Sequence, residues 1–324
     1  MSLPQAPLHP EDTGLVSAGG QVDEYISAAV AARTREAYQR DLNRFLAWGG
    51  QLPSSAAEIA QYLSGHAHSH RIATLQRWRV SIGRAHTAQG LADPSRCELV
   101  RTVLRGISRE HGCAQRRATP VLRDEVMAMV KALGSTPKEV RDRALVLVGF
   151  AGALRRSELV GLMVNDVQIG REGLTLRLRR SKTDQEQKGR EIGIPYAQGP
   201  ICPVQALQAW QRLIEACDAQ HHPQWSDDQR PIFRGVNRHG HIACQALSDR
   251  AVNQVIKARC RAIGLDAEAY SGHSLRAGFC TSAAQAGKPS WQIRKQTGHK
   301  SEVMLNHYIR AGRLFADNAL NGLW

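Results

Sequence analysis

From residue 21 to residue 111 one helical pattern follows another with no strand alternation, and at Gly112–Pro120 (GCAQRRATP) the periodicity stops. This break restricts the fold more than any other feature. A segment that lacks a hydrophobic period and ends in proline does not continue a helix, so it separates two parts that each need their own core. Residues 1–20, rich in Pro, Gly and Ser, are expected to form a flexible tail, 21–111 a helical domain, 112–120 a linker and 121–324 a second domain. A length of 324 residues suits two domains.

In the first part the helix signals are local. One pattern covers about Val22 to Ala31. Thr34 is placed to cap a second, with Tyr38, Leu42, Phe45 and Leu46 on its apolar face and a stop at Gly49-Gly50. Ser55, with Glu58 three residues on, predicts a capping box ahead of Ile59, Tyr62 and Leu63. A fourth pattern runs from about Ile72 to Ala88, and Asp93-Pro94 opens a fifth that ends at Gly112.

In the second part helical patterns occupy roughly 123–133, 138–152, 203–217, 249–262, 274–286 and 289–297. Residues 174–179 (LTLRLR) alternate apolar and polar, and 191–195 (EIGIP) follow after a polar turn, which predicts a hairpin. The fold class is therefore mainly α with a small antiparallel β-sheet.

Composition narrows the function. A formal net charge of +14 points to an anionic partner, and 35 of the 43 basic residues are Arg, whose planar fork suits phosphate. The longest nearly uninterrupted apolar run, Ala144–Leu154, is 11 residues, against the roughly 20 a membrane span needs. No basic residue precedes Arg33 and no apolar signal region follows the start, so a cytoplasmic location is expected. Seven scattered cysteines without a C-x-x-C argue against a disulfide framework or zinc ribbon. With no P-loop, GxGxxG or EF-hand spacing, neither a nucleotide nor a metal is expected. The tract His66-Ala-His-Ser-His70 reads as a polar turn between helices.

Towards the C-terminus stand, in order, His273-Ser-Leu-Arg276, Gly298-His299, and Tyr308 within residues 304–310 (MLNHYIR). Upstream lie residues 153–159 (ALRRSEL) and Ser181-Lys182-Thr183, where the hairpin turn begins. Singly, each has an ordinary reading as a solvated helix face, a turn or a core tyrosine. Together they resemble the tyrosine recombinase (phage integrase) family, whose signature is Arg, Lys, His-x-x-Arg, His or Trp, then Tyr, and the resemblance covers about residues 20–320.

The resemblance implies an all-helical core-binding (SAM-like) domain linked to an α+β catalytic domain. It implies site-specific recombination or integration through a 3′-phosphotyrosyl intermediate and a Holliday junction. Double-stranded DNA recombination sites would be the partner and a homotetramer the working form, associated with the nucleoid, with no cofactor, membrane or small-molecule substrate. By match to the signature, Tyr308 is the nucleophile, because a tyrosine hydroxyl can store the energy of a phosphodiester as a phosphoester. Arg155 and Arg276 clamp the charge that builds on the non-bridging oxygens. Lys182, with Lys188 in the same turn as the fallback, protonates the departing 5′-oxygen. His273 assists proton transfer with Tyr308 or contacts the phosphate, and His299 bonds a non-bridging oxygen. Glu158 is expected to orient Arg155 or His273, or to serve as a helix charge after a Ser157 cap. Arg156 reads as a surface residue or a DNA backbone contact.

Arg71, Arg77, Arg79, Arg84, Arg101, Arg105 and Arg109 lie on the last two helical patterns before the linker and are candidate DNA contacts, with solvated helix faces as the alternative. A type IB topoisomerase or telomere resolvase would share the covalent step, and an inactive DNA-binding protein would share the fold. All six signature matches weigh against the inactive protein. The apolar tail, Leu314-Phe315, Leu320 and Leu323-Trp324, suits packing on its own core or on a neighbouring subunit.

Overall fold

The computed structural model describes residues 30–112, 118–179, 189–299, 301–313, 319–321 and 323. The chain divides into two compact units, Met1–Arg116 and Arg117–Trp324. The tail, most of the expected helix over 22–31, and Leu314, Phe315 and Trp324 lie outside the described residues. Leu320 and Leu323 are exposed.

The first unit holds α1 (Ala32–Trp48), α2 (Ala56–Gly65), α3 (Ile72–Ala88) and α4 (Glu98–His111), with no strand among the described residues. Thr34 does not cap α1. The helix starts two residues earlier, and the Thr34 amide already bonds the Ala31 carbonyl at 2.8 Å, so Thr34 belongs to the first turn. Gly49 ends the helix in the left-handed conformation at φ 110°, which glycine adopts without a Cβ penalty. Ser55 caps α2 by accepting from the Glu58 amide at 3.1 Å, but the Glu58 carboxylate accepts from Gln51 N rather than from Ser55. Asp93-Pro94 opens a 3-10 turn, Pro94–Arg96, and α4 begins only at Glu98.

The core of this unit is aromatic: Tyr62 lies between Phe45 and Trp78, with ring centroids 5.1 and 5.3 Å away. Leu75, Ile82 and Val100 fill the remainder. The three His rings of the 66–70 tract behave differently: His66 and His70 pack against Trp78, while His68 meets His111.

The second unit contains α5 (Arg123–Lys131), α6 (Pro137–Ala151), the short α7 (Arg156–Val160), α8 (Pro203–His221), α9 (Asp249–Ala262), α10 (Ser274–Gln285), α11 (Ser290–Thr297) and α12 (Glu302–Arg313). Its main sheet is antiparallel, ordered β1 (Val167–Ile169), β2 (Gly173–Leu178) and β3 (Arg190–Pro195). Leu174 pairs with Ile194 and Leu176 with Ile192, all four buried, as the alternation requires. The sequence reading missed the edge strand β1 and a second hairpin, β4 (Arg234–Val236) with β5 (Ile242–Ala246). Strands of three residues leave too little pattern to read, and β4 also carries a register irregularity.

The apolar core gathers α6, α8 and the sheet around Leu145, Leu147, Ile192, Leu207, Trp210 and Phe233. Helix α10 runs close to the chain at Val121, where a Cβ on Gly278 would meet the Val121 carbonyl oxygen at 1.7 Å. That approach needs a glycine. No helix of the described residues is long and apolar enough to cross a membrane.

Candidate active site

The site is built where α6 ends. After Gly152, Ala153 takes φ 48°, an uncommon conformation for a residue with a side chain, and turns the chain into α7. Arg155 therefore stands at the N-cap of α7 and Glu158 in its first turn, and Ser157 lies inside the helix rather than capping it. The buried Glu158 carboxylate accepts from the Arg155 amide at 2.9 Å and from Arg155 Nη1 at 2.5 Å. The two bonds, one on each carboxylate oxygen, fix the guanidinium. Of the two roles expected for Glu158, orienting Arg155 is the one with contacts.

Arg276 comes from α10 and is almost wholly buried at 1% exposure. Its Nη1 donates to the Ala153 carbonyl at 2.6 Å, and its Nη2 has no hydrogen-bond partner. Burial, followed by repulsion from Arg155, brings its pKa down to about 10. It still carries its charge at neutral pH, at a desolvation cost that an arriving anion would offset.

His273 precedes the same helix. Its neighbour Gly272 leaves room for the Arg156 stem, which a Cβ would strike at 2.4 Å, and bonds the Asn253 side chain. The His273 Nε2 lies 3.4 Å from the Tyr308 hydroxyl, which α12 delivers. Loss of solvent around the imidazole, ahead of the charges of Arg276, Arg155 and Arg156, holds its pKa below the usual value. The imidazole is thus biased to its neutral form, which can accept a proton.

His299 follows the left-handed Gly298 that ends α11, at φ 67°. Its Nδ1 lies 2.8 Å from Thr297 Oγ1, and its ring centroid is 6.3 Å from that of Tyr308. Burial, then Arg276, Arg155, His273 and Arg190, push its pKa down to about 3. Helix α11 is tied to the turn that carries Arg155: Gln296 Nε2 donates to the Ala151 carbonyl at 2.8 Å.

The structure therefore brings Glu158, Arg276 and Tyr308 from three helices, α7, α10 and α12, together with Arg155, His273 and His299 from the turns before α7, before α10 and after α11. Lys182 and Lys188 lie outside the described residues. Sequence reading missed Arg190 at the start of β3, whose Nη2 is 3.5 Å from Glu158 Oε2. Its signal was available: Arg190 shares the inward parity of Ile192 and Ile194, and a cation on that face needs a partner. Among the described residues no group of three or more His, Cys, Asp or Glu is placed to hold a metal.

The candidate DNA arginines differ in their commitments. Arg77 is bidentate to the buried Asp41 at 2.7 and 2.8 Å, an arrangement that Ser81 completes. Arg101 and Arg105 each reach Glu98 at 2.6 Å, and Arg84 lies over the Tyr38 ring. Arg79 is half-buried, while Arg71 and Arg109 are exposed. Arg77, Arg79, Arg101 and Arg105 line one cleft of about 730 Å³ within the helical unit.

Comparison with known proteins gives a consistent set. Residues 121–313 match the model of the Phage integrase family. The integrase/recombinase xerD homolog of Selenomonas ruminantium is 36% identical over 304 residues, covering 91% of this chain and 86% of the relative. The recombinase Cre of Escherichia phage P1 is 24% identical, covering 81% of this chain and 77% of the relative. Among solved structures, XerH recombinase bound to a palindromic difH substrate in a post-cleavage complex superposes with a TM-score of 0.57 at 18% identity. That match covers 83% of this chain and 71% of the other. The Tn1549 transposon integrase in complex with circular intermediate DNA gives 0.58 at 15% identity, over 94% and 95% of the two chains. At these identities the two structures speak for the fold alone.

Proposed function

Because the chain belongs to the phage integrase family and is a site-specific tyrosine recombinase, a DNA strand-transferring enzyme, we propose that Tyr308 is its nucleophile and the surrounding guanidiniums and imidazoles are its catalytic groups. The observation that carries this assignment is the approach of the Tyr308 hydroxyl to His273 Nε2 beside two arginines fixed by buried contacts.

The Tyr308 oxygen attacks the scissile phosphorus, the bond to the 5′-oxygen breaks, and a 3′-phosphotyrosyl link forms while a 5′-hydroxyl leaves. Neutral His273 takes the phenol proton. Lys182 returns a proton to the leaving oxygen. Arg155 and Arg276 hold the non-bridging oxygens, where charge develops in the transition state, and the unpartnered Nη2 of Arg276 is a donor ready for one of them. Thr297 Oγ1 donates to the Ile293 carbonyl at 2.8 Å and so accepts from His299 Nδ1, which leaves Nε2 of the neutral ring as an acceptor; His299 becomes a donor to a non-bridging oxygen when an arriving phosphate draws a proton onto Nε2. Attack of the 5′-hydroxyl from a second duplex on the phosphotyrosine reverses the chemistry on a new strand, and a second round resolves the four-way junction.

The partner is double-stranded DNA, a reading supported by solved neighbours that are complexes with DNA. Residues 21–111 grip it, 112–120 link, and 121–324 cut. The working form is a homotetramer on two DNA sites, associated with the nucleoid. Of the candidate contacts, Arg71 and Arg109 are the most available to phosphate, while Arg101 and Arg105 must share their charge with Glu98.

The test uses a nicked duplex selected from a random pool by the wild-type protein. Wild type should give an SDS-resistant protein–DNA adduct; Tyr308→Phe should bind the same duplex and give none. An adduct from the Phe variant overturns the assignment of the nucleophile.

A further inference from the structure

Glu158 is a fully buried carboxylate whose nearest cation, Arg155, is the residue assigned to the phosphate. A carboxylate paired only with Arg155 would cancel the charge that the phosphate needs. Arg190 approaches the same carboxylate on its other oxygen, with Nη2 3.5 Å from Glu158 Oε2. The same guanidinium donates from Nη1 to the carbonyl of Gln296 at 2.9 Å, two residues before Gly298. Gly298 is left-handed at φ 67°, and a Cβ there would lie 2.7 Å from Arg190 Nη1, so guanidinium and turn are in direct contact. The turn carries His299.

We propose that Arg190 is a positioning residue, which balances Glu158 so that Arg155 retains its charge for the phosphate and which staples the His299 turn to the edge of β3. This rests on the recombinase reading of the site and adds a residue outside the six-residue signature. The physical ground is electrostatic: two guanidiniums sharing one carboxylate leave a net positive charge, whereas one guanidinium on one carboxylate leaves none. Arg190 is poorly placed to meet DNA itself, being largely buried, with Nη1 bonded to Gln296 and with Nη2 and Nε, which make no hydrogen bond, closed off from solvent beside Glu158. Burial as the leading influence, offset by Glu158, holds its pKa below the usual arginine value, as expected for a cation kept inside by a counter-charge.

The experiment is single-turnover cleavage of the selected nicked duplex by the full chain, with duplex affinity and a thermal melt measured for each variant. Arg190→Met is expected to cleave at least about tenfold more slowly, with duplex affinity within about twofold, because binding is spread over many phosphates. Adding Glu158→Gln to Arg190→Met removes the unbalanced carboxylate and is expected to recover part of the rate. Arg190→Lys, which retains a cation beside Glu158 but loses the fork that also reaches Gln296, is expected to cleave faster than Arg190→Met.

A wild-type rate in Arg190→Met, or a double variant no faster than Arg190→Met, overturns the inference, since a role in packing alone gives no recovery. Should the Met variant fail to fold, the lysine variant decides: a loss smaller than about tenfold supports the charge balance, and a larger one overturns it. If wild type itself forms no adduct, it is the recombinase assignment that fails, which separates the two.

Discussion

Arg276 Nη1 donates to the carbonyl of Ala153 at 2.6 Å, so the second guanidinium of the site is anchored on the turn that delivers the first. The two residues are 123 positions apart in the chain. The bond makes the spacing of Arg155 and Arg276 a property of one turn rather than of two independent helices. Gln296 reaches the carbonyl of Ala151, the last residue of α6 before that turn, so the element carrying His299 is anchored beside it.

Arg276→Lys keeps the charge but loses the fork that serves Ala153 and the phosphate together. Strand cleavage should fall by about 10²-fold, the order found when one preorganised donor is removed from an oxyanion site. Single-turnover rates on the selected duplex check this, and a loss below about threefold would show that charge alone suffices.

Stability should depend on pH through His299. Its pKa in the folded protein is about 3, against 6.5 for an ordinary histidine. Between those values the unfolded chain binds a proton that the folded chain does not, so acid favours unfolding. The contribution is complete above about pH 6.5 and is lost progressively as pH falls towards 3, by at most about 1.4 kcal/mol per pH unit from this group. Thermal melts taken downwards from about pH 7 should show it, and His299→Gln should flatten the dependence. His273 acts in the same direction on activity, since protonation below its lowered pKa removes the acceptor for the Tyr308 proton.

Gly278→Ala tests the packing that supports the site. A methyl group 1.7 Å from the Val121 carbonyl oxygen cannot be accommodated without moving the backbone. A loss of about 3 kcal/mol or more is expected, read as a lowered melting temperature, with displacement of α10 and hence of His273 and Arg276.

In the helical unit, two arginines that are both candidate DNA contacts should behave differently. Arg77→Ala leaves the buried Asp41 carboxylate without its bidentate partner, and should destabilise that unit by about 3 kcal/mol. Arg109→Ala should leave the melting temperature unchanged and weaken duplex binding with a shallower salt dependence, as loss of one phosphate contact predicts. Equal effects on stability would contradict the structure.

Much was legible in the order of residues because it depends on local rules. Helix periodicity, the Gly49 and Gly298 stops, the Ser55 cap and the alternation of β2 and β3 are set by neighbours within a few positions. The candidate catalytic residues were legible as a family signature and not as a geometry. Thr34 and Ser157 show the limit of the local rules: both have the right side chain for a cap, yet the backbone begins its helix earlier in each case. β1 and the β4–β5 hairpin escaped because strands this short are defined by their partners.

The sequence by itself determined which residue types stand in which order, the excess of positive charge and the break in helical periodicity at Gly112–Pro120. Only the tertiary structure decided which cations are free for a phosphate. Arg77 is held by Asp41 of α1, 36 positions away, and Arg190 shares Glu158 of α7 with Arg155. Ion pairing depends on distances that the chain order does not contain, and the charge left over after pairing is what a phosphate meets.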